Sequence, residues 1–559
     1  MVGEITTDSA AFVGVALLAL VAPFEATTPL VKLPAQSISN LEAAVVVACL
    51  LGAAAILARR LLLASITPIA APWIAFLLVC AVAALVSPVS RINALHMTGR
   101  FGAAFAVCLV TIGAATTTAR IRAIAALVVA AGVIVALLAI LEYLNVPVVR
   151  RWLTLFRPGI TTVGAQLRAG GPLQYPTIAS MYLEIVFAIA AGLWIAAIDA
   201  QEWRAAWALA AALVIVAEAI TLTFTRAGLI NMAVTIAAAA AIRYRGHGVD
   251  ASVRALAALG AAVVLLFAAS RSRDSLWLRL TSEGQESWYR ARIEAPAALS
   301  FAAADVTDVA VTATNTGRLA WDSEAKPPFY FSYHWLSAAG DRVVAFDGVR
   351  TPFAAPVRPD DRVALTVAVR TPRQPGRYRL VWDIVQEGRL WFSTEPGAAA
   401  FVSQVDVTGD VPAQAVRTAP LPKPTVRPGR LRLWEAAAGI ILAHPLLGIG
   451  PDNFRLAYGP FAGIATPDPR THSNNMYLEV LTGTGVIGAA AFAWLLWRIG
   501  RTVDAANLGA ICALAAIAIH GVVDSFVSFA PTYVLFAVTL GLACARPREM
   551  ENASHAHRV

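Results

Sequence analysis

Charge is what this 559-residue chain has least of: 14% of its residues are Asp, Glu, Lys or Arg, against 58% hydrophobic. A soluble domain carries about a quarter charged residues, so a wholly soluble fold is excluded. Apolar stretches of about twenty residues recur along most of the chain, each long enough to cross a bilayer as a helix. Cysteine is missing from the polar sequence. All five (Cys49, Cys80, Cys108, Cys512, Cys544) fall within or at the ends of apolar segments, which argues against a disulfide framework or a cysteine metal site. No soluble segment has the look of a nucleic-acid module, so the net charge of +9 is assigned to topology and lipid phosphate and not to nucleic acid. A basic n-region is also lacking: the apolar segment Ala10–Ala22 follows Glu4 and Asp8. It reads as a retained helix rather than a cleaved signal peptide.

What is present is a series of spans. Helices are expected near 9–24, 41–58, 66–86, 97–117, 121–143, 176–198, 204–222, 227–242, 253–270, 476–498, 504–522 and 526–545, twelve in all. Short basic turns then fall on one side: Arg59–Arg60, Arg120 with Arg122, Arg204, Arg243 to Arg254, Arg498 with Arg501, and Arg546 with Arg548. Cytoplasmic loops carry the excess of basic residues, so this side is expected to be cytoplasmic, with both termini inside. The outer side receives 144–175, the tight turn 223–226 and the long stretch 271–475. It holds arginines of its own, Arg150, Arg151, Arg157, Arg168 and Arg226, which run against the bias. A basic cluster there suits an anionic ligand; snorkelling to lipid phosphate is the alternative.

Between about Trp288 and Gly409 the pattern changes to short alternating runs. "DVAVTATNTGRLAW", "FYFSYHWL", "DRVVAFDG", "RVALTVAVRT", "GRYRLVWDIVQ" and "LWFSTE" read as strands separated by turns such as "SAAGD" and "RQPG". Six or more such strands suggest an antiparallel β-sandwich. "TATNTGRLAW" is similar to the N-x-G…W signature of immunoglobulin-like modules, with Trp321 expected in the core. The aromatics Tyr330, Phe331, Tyr333, Trp335, Trp382 and Trp391 are candidates for core packing or for stacking on sugars. A proline-rich linker, "PAQAVRTAPLPKPTVRPGR" at 412–430, follows.

Beyond it, "RLRLWEAAAGIILAHPLLGIGPDNF" begins with an amphipathic stretch too short for a span, expected to lie at the interface or re-enter. "THSNNMYLEVLTGTGVIG", Thr471 to Gly488, then sets polar residues before an apolar helix. Ser473, Asn474 and Asn475 are all able to cap it. His472 stands at the positive end of the helix dipole, which disfavours the imidazolium. A neutral imidazole there can act as a general base on a hydroxyl; a purely structural histidine is the alternative. "TLTFTRAGLI" places Arg226, and "AQLRAGGPLQYPTIASMYLEI" places Arg168, at the outer face. Arginine grips phosphate oxygens bidentately, so the two suit a lipid-linked pyrophosphate, or alternatively pair with Glu184 or Glu218.

Taken together, "HPLLGIGPDNF", "THSNNMYLEVLTGTGVIG" and "LTFTRAG" resemble the bacterial O-antigen ligase and O-antigen polymerase superfamily, in which "hPllGiGpgnF" and "aHN-yle-l-e-GliG" segments and an "lt-SRga" turn recur; Thr225 stands where serine is usual. The resemblance is clearest in 218–232 and 430–490, and the β-region is a departure from it. It implies a mostly α fold, a GT-C-like polytopic bundle of about twelve transmembrane helices with an inserted periplasmic β-sandwich. It implies a metal-independent inverting glycosyltransferase of the inner membrane, without cofactor. The donor would be a glycan on undecaprenyl pyrophosphate and the acceptor a lipid A core, another glycan or a protein. By matching positions His472 would be the base, and Arg226 with Arg168 the pyrophosphate-binding pair; His444, Asn474 and Glu479 are supporting candidates. The expected organisation is an N-terminal bundle over 1–270, a connector 271–287, the immunoglobulin-like β-sandwich 288–409 and a linker 410–432. A periplasmic loop 433–475 with the catalytic segment, C-terminal transmembrane helices 476–546 and a cytoplasmic tail 547–559 complete it. Ligase, polymerase and protein O-oligosaccharyltransferase stay open, as do a lipid-linked glycan transporter and a membrane-anchored carbohydrate-binding protein.

Overall fold

The computed structural model describes residues 2–32, 37–57, 63–157, 159, 161–163, 166–269, 288–325, 327–387, 390–394, 400–409, 419–420, 428–503, 507–525 and 528–546. The expected connector 271–287, most of the linker, Arg59, Arg60, Arg548 and the tail 547–559 lie outside them.

Each apolar stretch forms a helix: α1 Val2–Val21, α2 Asn40–Leu57, α3 Leu63–Leu85, α4 Arg91–Ala114, α5 Thr118–Tyr143, α6 Pro147–Leu153, α7 Pro176–Asp199, α8 Trp203–Leu222, α9 Arg226–His247 and α10 Ala251–Ala269. After the β-region come α11 Arg430–Ala443, α12 Phe454–Phe461, α13 Met476–Thr502, α14 Leu508–His520 and α15 Ala530–Cys544. Eight of these, α3, α4, α5, α7, α8, α9, α10 and α13, are long and apolar enough to cross a membrane, while the apolar parts of α1, α2, α14 and α15 are shorter. The α4 boundary moves from the expected 97 to Arg91. The polar run "RINALH" reads as loop, yet the Ser90 side chain accepts from the Asn93 N–H and caps the helix six residues earlier.

With 83% of its apolar window buried, α7 is the centre of the bundle, and α10, at 17%, lies at its edge. Small residues permit the closest crossing: a Cβ on Gly192 of α7 would stand 2.5 Å from the Gly509 Cα of α14. The basic helix ends converge. Thr118, Arg122, Asp199, Arg243, Asn507 and Ala545 line one cleft, and Arg243 bridges Asp199 at 2.8 Å and Asp250 at 2.7 Å. The opposite end is tied by Ser87 Oγ to the Ile449 carbonyl (2.6 Å) and by Ala169 N–H to the Leu222 carbonyl (2.9 Å).

Short ladders pair β1 Val31–Lys32 with β2 Ser37–Ile38 and β3 Thr161–Val163 with β4 Gln166–Arg168. In the β-region, β5 Ala291–Glu294, β7 Val306–Asn315 and β11 Arg362–Arg370 form one sheet in the order β11-β7-β5. The other runs β15-β9-β8-β12-β14-β6, with β10 on β8 and β13 on β12; its strands are β6 Ala298–Ala302, β8 Phe329–Ser337, β9 Arg342–Ala345, β10 Thr351–Pro352, β12 Gly376–Gln386, β13 Leu390–Trp391, β14 Phe401–Thr408 and β15 Ala419–Pro420. Both sheets contribute to one core that includes Val311, Val367, Trp335, Leu380 and Trp382. The β14–β6 pair is parallel, unlike the all-antiparallel arrangement expected. The N-x-G stretch is an Asx turn: Gly317 N–H donates to Asn315 Oδ1 (3.0 Å), whose amide donates to the Leu319 and Val357 carbonyls. Phe331, Tyr333, Trp321, Trp335 and Trp382 are buried, so these rings pack the core and are not available to stack on sugar.

Candidate functional site

At the loop end of the bundle, the chain from Pro445 to Gly450 lies against a break in α13. Gly485 has φ +63° inside that helix, and Gly448 and Gly450 have φ +65° and +94°. The freed backbone groups find partners across the two segments. Ile449 and Gly450 N–H donate to the carbonyls of Thr482 and Gly483, and Val486 N–H donates to the carbonyl of Pro445, all at 2.8–2.9 Å. Irregular backbone at membrane depth persists only where protein satisfies it. Glycine is required because a Cβ on Gly448 would lie 2.3 Å from the Thr482 carbonyl oxygen.

Asn453 then fixes the following turn. Its fully buried amide donates to Ser87 Oγ (2.9 Å), the Ser90 carbonyl (3.0 Å) and the Ile449 carbonyl (2.8 Å). Asn93 reaches from α4 to the Asp452 carbonyl (3.0 Å), its Oδ2 (3.2 Å) and Asn453 Oδ1 (3.0 Å). Asp452 adopts φ +62°, a left-handed conformation that Asp tolerates better than most residues. Helices α11 and α12 close behind with a small core of Leu433, Ala436, Ile440, Phe454 and Tyr458.

The segment 471–475 is pinned from several sides. The Trp434 indole donates to the Ser473 carbonyl (3.1 Å), Ser473 N–H donates to Glu479 Oε1 (2.6 Å), and Met476 N–H donates to the Gly521 carbonyl (2.7 Å). Of the three expected caps only Asn475 serves, its Oδ1 accepting from the Tyr477 and Leu478 N–H groups. Ser473 Oγ turns back to the Asn475 carbonyl, and Asn474 takes φ +53° to make the bend. The spacing of three adjacent polar residues does not say which of them the bend leaves at the N-cap.

His472 is mostly buried, with 14% of its side chain exposed, and Asp452 Oδ1 and Glu479 Oε1 lie 3.6 and 3.8 Å from its Nδ1. That nitrogen is buried and makes no hydrogen bond. The ring meets Phe529 edge-on with centroids 6.1 Å apart, and Phe529 meets Tyr175 at the same distance. Two carboxylates therefore oppose the helix dipole, a setting the sequence near His472 showed only through Glu479. His444 caps α11 by backbone and is joined to this group by no hydrogen bond or ion pair among the described residues.

Arg168 and Arg226 belong to one turn. Arg168, buried, donates from Nε to the Thr223 carbonyl (2.8 Å) and from a terminal nitrogen to Thr225 Oγ1 (3.2 Å). Arg226, the first residue of α9, is half-buried and makes no hydrogen bond or ion pair with the described residues. Thr225 does not cap α9 with its side chain, so an anion at that terminus meets both a guanidinium and the helix dipole. Phe224 is held at φ +51° between them, which for a bulky residue is backbone strain. Neither arginine pairs with Glu184, which instead bonds His520 Nδ1 (2.9 Å), Ser180 Oγ (2.6 Å) and Asn231 Nδ2 (2.5 Å) in a buried cluster joining α7, α9 and α14. Arg157 is ion-paired with Glu142. Burial draws its guanidinium down to about 10, still far above neutral, so it faces Glu142 as a cation. Glu142 Oε2 also accepts the Gly170 and Gly171 N–H groups (3.0 and 2.9 Å), which shapes the chain after Arg168. Arg150 and Arg151 are exposed. Among the described residues no group of three or more His, Cys, Asp and Glu side chains is placed to hold a metal ion.

No curated protein matches the chain significantly. The family model described as O-antigen ligase matches residues 417–493, which span α11, α12, the segment around His472 and two-thirds of α13. Over that stretch the chain carries the domain of the O-antigen ligase superfamily, with His472, Asp452 and Glu479 inside it.

Proposed function

We propose that the chain is a membrane glycosyltransferase of O-antigen ligase type. It moves a glycan from undecaprenyl pyrophosphate to a hydroxyl of a lipid A core or another glycan, at the periplasmic face of the bacterial inner membrane. The observation that carries this reading is His472: within the matched segment, its ring nitrogen faces two carboxylates at 3.6 and 3.8 Å. An imidazole so supported can take a proton and hold the charge.

In the reaction, His472 accepts the acceptor's hydroxyl proton as that oxygen attacks the anomeric carbon. The bond from this carbon to the pyrophosphate oxygen breaks, its electron pair leaves with the pyrophosphate, and the configuration inverts. Negative charge grows on the leaving group, and Arg226 with the α9 N-terminus stabilises it. Arg168 shapes the turn that presents Arg226 and adds positive charge to it. In this scheme arginine and helix dipole supply the positive charge for which other transferases use a metal. Both termini are cytoplasmic, twelve helices cross the bilayer, and the β-region at 288–409, an immunoglobulin-like insertion, stands on the periplasmic side where an acceptor would be met.

A transporter reading asks for broken helices around a central cavity. One helix, α13, is broken, but residues 445–450 fill the break and satisfy its backbone, which favours a fixed site over a moving gate. His472→Ala and Arg226→Ala should each abolish transfer of glycan from a lipid-linked donor while leaving expression, membrane insertion and thermal stability intact. Full activity in both variants would sink the assignment. Deleting the gene and comparing lipopolysaccharide, capsule and glycoprotein profiles separates ligase from polymerase and from protein oligosaccharyltransferase.

A further inference from the structure

We infer that Asp452 is a positioning residue for His472: its carboxylate accepts a hydrogen bond from Nδ1–H, which fixes the tautomer and leaves Nε2 as the base. The inference rests on the reading of His472 as base.

Three observations carry it. Asp452 Oδ2 is occupied by Arg455 Nε (2.8 Å) and Asn93 Nδ2 (3.2 Å), which aims Oδ1 at His472. Glu479 Oε1, the other oxygen near Nδ1, already accepts Ser473 N–H at 2.6 Å. His472 Nδ1 is buried without a hydrogen bond, and a buried donor is costly to leave so. A movement of well under 1 Å would bring Oδ1 from 3.6 Å into bonding range, and catalytic hydrogen bonds commonly tighten when substrate binds.

Asp452 sits at φ +62°, a left-handed conformation that aspartate tolerates better than most residues. Asn453 and Arg455 keep that conformation in place: Asn453 through its buried amide and Arg455 by a second bond to the Pro469 carbonyl (3.1 Å). When Nε2 accepts the hydroxyl proton, the ring becomes an imidazolium whose Nδ1–H points at a carboxylate. The proton stays on the ring; the electron pair of the broken glycosidic bond leaves with the pyrophosphate. The charged groups around the ring are Asp452 from the turn before α12, Glu479 from α13 and Arg455 behind Asp452. Arg470 on the same segment is paired with Asp468, and Phe529 covers the ring from the turn before α15.

The test uses the full chain, purified and reconstituted in vesicles with an undecaprenyl-pyrophosphate-linked glycan and a lipopolysaccharide-core acceptor. In Asp452→Asn, the amide can donate to Nδ1 and favours the wrong tautomer. kcat is expected to fall about 10²- to 10⁴-fold, by analogy with the triad aspartate, with donor KM within about threefold. The acid limb of the kcat/KM profile should move to lower pH, because the imidazolium has lost an anion. Asp452→Gly, which leaves Arg455 and Asn93 without the carboxylate they hold, should be as slow as Asp452→Asn and melt lower than it. A kcat within about threefold of the native protein together with an unmoved pH profile overturns the inference. If Asp452→Asn is active while His472→Ala is dead, only this inference fails. If both are active, the reading of His472 as base fails with it.

Discussion

Arg168 gives two of its nitrogens to the Thr223–Thr225 turn, while Arg226, on the next residue along, makes no bond to the described residues. Opposite phenotypes follow. Arg168→Ala should lower stability by about 1–3 kcal/mol for each acceptor left unpaired in a buried turn, read as a fall in melting temperature along with activity. Arg226→Lys should melt like the native protein and lose turnover at least tenfold, because an ammonium cannot reproduce the two-pronged grip on phosphate. If Arg226→Lys melts low and Arg168→Ala does not, the assignments are reversed. At this scale the sequence singled out both arginines and His472 as candidates by simple arguments: charge against the topological bias, and a polar cluster before an apolar helix. It was silent on Asp452 and Asn453. Their importance comes from Ser87, Asn93 and Arg455, and the first two of these lie about 360 residues away in the chain.

The elements that hold the site are joined by polar bonds inside an apolar bundle. Glu184 on α7, Asn231 on α9 and His520 on α14 meet in one cluster, and all three are nearly fully buried. Gly228 lies one turn above Asn231 because a Cβ there would stand 2.2 Å from Ser180 Oγ. Removing one member of a buried pair leaves an uncompensated charge, so His520→Ala should cost about 3–5 kcal/mol. Adding Glu184→Gln should recover much of that loss, and a double-mutant cycle on thermal melting in detergent measures the coupling. Additive losses would mean that the pair does not act as a clamp. The apolar helices were legible as hydrophobic runs, eight of them long enough to cross a membrane among the described residues, but this clamp was not. Glu184 read only as an alternative partner for the arginines, and His520 did not stand out at the end of an apolar run. Nor did the break in α13 follow from "LTGTGVIG": glycine permits such a kink, and only the approach of residues 445–450 makes it necessary.

For the molecule as a whole, function depends on which face of the membrane receives the donor. Asn93, Asp452, His472 and the Thr223–Arg226 turn share the end of the bundle opposite the cleft lined by Arg122, Asp199, Arg243 and Asn507. Basic residues gather at the latter end, which the proposed topology places on the cytoplasmic side by the positive-inside bias. Val148, on α6, and Val249, in the turn between α9 and α10, are exposed on opposite ends, at 68% and 67%. They make a labelling pair. In intact spheroplasts a membrane-impermeant maleimide should react with Val148→Cys, whereas Val249→Cys should react only after permeabilisation. Background is low, since Cys80, Cys108, Cys512 and Cys544 are buried and Cys49 is partly covered within α2. The reverse pattern would put His472 and Arg226 on the cytoplasmic side, away from a donor displayed in the outer leaflet. The glycosyl-transfer reading would then have to be abandoned even with every distance at the site unchanged.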